Sequence, residues 1–209
     1  MWLAPRMKGL SLLIRRMLVS VLLLTGCAVS VLGPTSFTAR YMSPPGQSKV
    51  GVVAACASVK DIAFKDTRAD KFLAGSRAPE TSPQEKHPIR LKGYAIDWVR
   101  EGVNATFHRA GLRRSNDGNG RVLVQLTSLD LIELQFNNSE YFARVLLDVV
   151  VYAKSSKTSF RVAGEGKNYG TPGDALNYNE TITRALDEAL RGLIENPAFG
   201  QSLCDESAP

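Results

Sequence analysis

The chain is predicted to be α+β, with an antiparallel sheet of about four to five strands and two helices packed on one face. Three observations predict this. Between residues 92 and 110, Ile96, Val99, Val103, Phe107 and Ala110 recur at the three-and-four spacing of one helical face. Strand-like runs then follow one another at 121–136, 141–155 and 158–169. In the second of them Val145, Leu147, Val149 and Val151 alternate with Leu146, Asp148, Val150 and Tyr152, so one side is strongly apolar and the other mixed. A second helical stripe, Ile182, Leu186, Ala189, Leu190 and Leu193, occupies 174–196 before Pro197 halts it.

Taken in chain order, residues 49–62 are rich in Val and Ala and make the first strand candidate, apolar enough to be central in a sheet. Their polar continuation, 64–71, leads into a long loop marked by Gly75, Pro79, Pro83 and Pro88. Trp98 lies beside the apolar stripe of the first helix. Gly111 stands where a left-handed residue would end that helix. The run Ser115, Asn116, Asp117, Gly118, Asn119, Gly120 suits a tight reversal, because Asn, Asp and Gly tolerate positive φ. Residues 137–140 and 154–157 are short enough to join the three strands as hairpins. Gly164 and Gly166 mark a bulge or a close approach of a helix to the last strand.

The N-terminal stretch reads as an address rather than as part of the fold. Arg6, Lys8, Arg15 and Arg16 precede an apolar run that begins at Met17, and Leu24, Thr25 and Gly26 abut Cys27. Bacterial export and lipid-modification machinery recognises that combination. Cleavage before Cys27 would leave an acylated first residue, and the covalent lipid is the only added group expected. The competing reading is an uncleaved membrane helix, but residues 17–32 offer 16 apolar-run positions where a span needs roughly 20. The expected organisation is a signal peptide at 1–26, a flexible tether at 27–48, a single periplasmic domain at 49–204 and a disordered tail at 205–209. The tether is expected because 28–48 contains Pro34, Pro44, Pro45, Gly46 and several Ser and Thr, with no sustained periodicity.

The formal charge of +6 suggests a nucleic-acid partner until the leader is subtracted. Four of the 26 basic residues and none of the 20 acidic ones precede Cys27, which leaves the mature chain at about +2 and removes most of that signal. No nucleic-acid partner is expected. Of three cysteines, Cys56 and Cys204 remain after Cys27. In an oxidising compartment such a pair is a disulfide candidate, and Cys56 alone would also serve as a small core residue.

Catalytic material is thin. His87 beside Pro88 and His108 on the first helix are the two histidines, and both read as structural. No HExxH, CxxC, GxSxG or phosphate-binding glycine loop with its lysine occurs in the sequence. Asp61, Asp66 and Asp70 are interleaved with Lys60, Lys65, Arg68 and Lys71, so the local charge is balanced and no metal site is expected.

Several features together resemble the YajG-like family of bacterial outer-membrane lipoproteins. They are Cys27 in its lipobox, the first strand running into Asp66, Thr67 and Arg68 with Gly75 downstream, and the amphipathic helix ending at Ala110, Gly111 and Leu112. The three-strand run leaving through Asn168, Tyr169 and Gly170, and the closing helix through Leu186 and Leu193, complete the likeness. The resemblance implies an envelope lipoprotein on the periplasmic side of the outer membrane, with no catalytic residues to carry over. Ala28 after the cysteine agrees, since lipoproteins retained at the inner membrane often have Asp there.

The expected function is therefore a non-enzymatic, lipid-anchored binding or accessory module, held to the membrane by its anchor and facing an envelope protein partner. Contact candidates are Asp66 and Arg68 in the loop and Arg100 and Arg109 on the first helix. The alternative is a lipid-handling accessory subunit of an envelope transport complex, with an apolar groove between sheet and helices lined by Trp98, Phe107 and Tyr152.

Overall fold

A computed structural model describes residues 35–43, 53, 55–79, 82–118, 120–135, 139–154 and 156–204. The chain divides into units 1–33 and 34–209, and every described residue belongs to the second. The lipidation candidate Cys27 and the tail 205–209 lie outside the described residues.

The elements in order are β1 (Thr35–Phe37), β2 (Ser58–Asp66), β3 (Leu73–Pro79), β4 (His87–Leu91), α1 (Ala95–Arg109), β5 (Arg113–Arg114), β6 (Gly120–Gln135), β7 (Ser139–Ala153), β8 (Lys157–Gly170), α2 (Ala175–Ile194) and α3 (Pro197–Ser202). They build one mixed sheet of eight strands. This corrects the expected antiparallel sheet of four to five strands. Four pairings are parallel, β1 with β4, β2 with β5, and both β2 and β3 with β6. Only β3 with β4, β6 with β7 and β7 with β8 run antiparallel among the described strands. Among the described residues three helices replace the expected two, because α3 starts afresh at Pro197, where Asn196 caps the Ala198 N–H.

The spine is β6, 16 residues long. One edge carries the predicted meander, β6 to β7 to β8. Its other edge is shared. From Val59↔Gly120 to Asp66↔Leu126 it holds β2, and from Gly75↔Leu131 to Pro79↔Gln135 it holds β3. Nine residue steps from Asp66 to Gly75 face five from Leu126 to Leu131, so the surplus loops out. The connection from β2 through β3, β4 and α1 to β6 is thus a crossover, which parallel pairing requires.

Alternation along β7 puts Tyr141, Val145, Leu147, Val149 and Val151 under the helices, each 1% exposed or less. Helix α2 adds Ile182, Leu186, Leu190 and Leu193, and α1 adds Trp98, Val99, Val103 and Phe107. Gly164 and Gly166 are the expected close approach. A Cβ on either would stand 2.1 Å from an α2 carbonyl, of Ala185 or of Thr181. Asp174 caps α2 through the Leu176 N–H. Gly111 has φ +79°, the left-handed stop expected after α1.

The segment 27–48 read as a tether contributes structure. Thr35–Phe37 is strand β1, Phe37 is buried, and Tyr41 packs against α1 at Gly102. A disulfide joins Cys56 to Cys204 with a Cα separation of 5.1 Å, and the Ser58 N–H donates to the Leu203 carbonyl beside it. Closing a loop of 148 residues restricts the unfolded chain, which on the chain-entropy model is worth about 4 to 5 kcal/mol.

Candidate functional site

The four residues expected to meet a partner are not brought together, and two of them have little free surface. Asp66 and Arg68 form an ion pair at 2.8 Å with side chains only 6% and 7% exposed. Arg68 also donates to the carbonyls of Lys71 and Leu73, and Lys71 Nζ donates to the Asp66 carbonyl. These bonds close the loop between β2 and β3 on itself. Arg100 is exposed on α1, pairs with Asp97 at 2.7 Å and lies over the Phe64 ring. Arg109 turns inward toward Tyr41 and Asp187. His87 is half-buried in β4, and His108 is exposed on α1. Trp98 and Phe107 belong to the core, whereas Tyr152 is 41% exposed on the opposite face of the sheet, so the three line no common groove.

Two buried carboxylates organise the helix-covered side. Glu133 on β6 is wholly buried. Its Oε1 accepts from Ser139 Oγ at 2.9 Å and from the Gly173 N–H at 2.8 Å, and its Oε2 accepts from the Tyr178 hydroxyl at 2.5 Å. Arg77 Nε lies 3.1 Å from Oε2, an ion pair by distance whose angle falls short of a hydrogen bond. Tyr141 stands 3.4 Å from Oε1 and is bonded more closely to the Thr171 carbonyl. Burial foremost, then the neighbouring carboxylate, raises both tyrosine pKa values. Arg77 also donates to Thr35 Oγ1 at 2.7 Å, so the cluster reaches β1.

The second carboxylate, Asp187 on α2, is buried where the segment after β1 crosses the two long helices. The Tyr41 hydroxyl donates to its Oδ1 at 2.6 Å and accepts from Arg109 at 2.8 Å, while Arg109 stands 3.6 Å from the same oxygen. Among the described residues, Asp187 Oδ2 and Thr183 Oγ1 have no hydrogen-bond partner. Burial raises the Asp187 pKa against the pull of Tyr41 and Arg109, and burial with the Asp187 bond pushes Tyr41 up to about 12.

The face of β6, β7 and β8 that no described helix covers is different in kind. A groove of about 500 Å³ lies on it and reaches the β8 edge, lined by Asp130, Ile132, Phe142, Arg144, Glu165 and Lys167 of the strands and by Glu188 of α2. Registration explains the lining. Asp130, Arg144 and Glu165 form one cross-strand row, and Ile132, Phe142 and Lys167 form the next. Lys167 Nζ pairs with Glu140 at 2.5 Å and lies over the rings of Phe142 and Tyr169. That bond holds the Glu140 carboxyl below its ordinary range and raises Lys167. Ile132 is 46% and Tyr169 59% exposed. The free edge of β8 is partly blunted, since Glu188 accepts from the Glu165 N–H and Arg184 donates to the Lys167 carbonyl. Among the described residues no group of three or more His, Cys, Asp or Glu is placed to hold a metal, and no helix is long and apolar enough to cross a membrane.

No family model and no curated protein matches the chain. Solved structures resemble it at low identity. The crystal structure of protein XCC0632 from Xanthomonas campestris, assigned to the DUF330 family, is 14% identical over 80% of this chain and 93% of its own, with a TM-score of 0.43. A second crystal structure, described as that of an uncharacterized protein, is 8% identical over 73% of this chain and 94% of its own, with a TM-score of 0.35.

Proposed function

We propose that the protein is a lipid-anchored envelope lipoprotein on the periplasmic side of the outer membrane, kin to the YajG-like lipoproteins. It is a non-enzymatic binding module for an envelope protein. The observation that carries this reading is the open face of β6, β7 and β8, where exposed Ile132 and half-buried Phe142 line a groove among paired charges. Isolated exposed apolar residues are ordinary, but two of them side by side in a groove ringed by charges support a recognition role. The lipid-handling alternative gains nothing here, since Trp98 and Phe107 are core residues and Tyr152 lies on the other side of the sheet.

The test is photo-crosslinking in intact cells from a reactive residue at position 132, with position 104 on the exposed side of α1 as control. A partner should be captured from 132 alone, and Phe142→Ala with Arg144→Glu should abolish its capture. Equal capture from both positions, or capture that survives the substitutions, would refute the assignment to this face.

A further inference from the structure

The open ends of the long strands differ in one respect that concerns the anchor. Strand β1 runs parallel to β4, β4 antiparallel to β3, and β3 parallel to β6, so β1 points away from the Gln135 end of β6. The chain therefore enters β1 from that end. Thr35 stands level with Leu131, through Ile89 and Gly75. From Cys27 to Thr35 is eight residue steps, a reach of at most about 29 Å. Along β6 it is about 13 Å from Leu131 to Gln135 and about 36 Å from Leu131 back to Gly120.

We propose that the Gln135 end of the sheet rests on the lipid bilayer, with the connection between β8 and α2 as its contact surface; this rests on the lipid-anchor reading. That connection presents Pro172, flanked by Tyr169 at the end of β8 and Leu176 at the start of α2, exposed residues of which Tyr169 and Leu176 are more than half accessible. Tyrosine suits the headgroup level, having an apolar ring and a polar tip. The loop is held firmly for the task. The Gly173 N–H donates to Glu133, the Thr171 carbonyl accepts from Tyr141, and Arg77 links the same carboxylate to Thr35 at the chain's entry. Lying face-down would instead press the ion pairs of Asp148 with Arg161 and Arg144 with Glu165 into the lipid surface, a larger desolvation cost than end-on contact, where only the Glu140–Lys167 pair lies beside Tyr169. End-on, Tyr152 and the Cys56–Cys204 bond lie at the far end, beside Gly120.

The experiment uses mature protein extracted from membranes and placed in phosphatidylethanolamine and phosphatidylglycerol vesicles containing brominated acyl chains. Trp2 leaves with the signal peptide, so Trp98 is the sole background emitter. Tyr169→Trp should lose emission in brominated vesicles, whereas Tyr152→Trp should emit as in unbrominated ones. Quenching of both means a face-down posture and overturns the proposal, as does quenching of neither in protein that carries palmitate. Protein without palmitate that washes off the vesicles refutes the anchor itself, and the orientation falls with it.

Discussion

Glu133 and Asp187 are both carboxylates buried under the helices, yet their surroundings differ. Glu133 receives three hydrogen bonds and an arginine, which together join β1, β3, β6, β7 and α2. Asp187 receives one hydrogen bond and a more distant arginine, and its second oxygen has no partner among the described residues. Desolvation is the same kind of cost at both positions, and only Glu133 has enough donors to offset it. The first carboxylate is thus an organising tie, and the second is a tolerated charge over which the chain after β1 is laid.

The largest effect should come from Glu133→Ala, which strands Arg77 and three donors. Urea denaturation should show a loss of about 3 to 5 kcal/mol, and a loss under about 1 would erase the contrast. Tyr178→Phe removes one donor and keeps the ring packed tilted against Phe37 and edge-on to Tyr141, so the same assay should read about 1 to 3 kcal/mol. Asp187→Asn should change stability by less than about 1 kcal/mol at neutral pH, because the acceptor for Tyr41 survives and the buried charge removed has only one hydrogen bond and a distant arginine to offset it.

The pH dependence sharpens the same contrast. Burial raises the Asp187 pKa above its unfolded value of about 3.9, so the folded state holds that proton more tightly. Its contribution to stability is fully present below the unfolded value and is lost as pH rises through the folded one. Denaturation midpoints of wild type should therefore fall across that window, and Asp187→Asn should flatten the fall. A fall unchanged in the variant would assign the proton elsewhere.

Much of the helix and hairpin layout is legible locally. The stripes of α1 and α2, the positive φ of Gly111, the close approach at Gly164 and Gly166, and the β6 to β8 meander all follow from short-range spacing. Strands β3 and β4 are not legible. Glycine and proline interrupt them, and β3 buries Arg77, a charge whose partner lies on a strand more than 50 residues later. Parallel pairing with β6 leaves no local mark either, since the edge of β6 opposite β7 is filled by the distant segments β2 and β3. The tether reading overlooked β1 because three residues are too few to show a period.

The site was less legible for a related reason. Asp66 and Arg68 look available because charges are usually exposed, but they satisfy each other at the loop's base. Glu133 carried a readable clue: it continues the two-residue spacing of Leu129 and Leu131, the buried positions of β6, and so had to lie inside. The groove needed cross-strand register, which sets Asp130 beside Arg144 and Ile132 beside Phe142.

The anchor is tested most directly by the intact mass of the protein solubilised from membranes. The predicted species begins at Cys27, is heavier than the bare polypeptide by its acyl groups, and lacks the two thiol hydrogens lost when Cys56 and Cys204 join. A mass equal to the full 209-residue chain, or to any unacylated fragment, would contradict it.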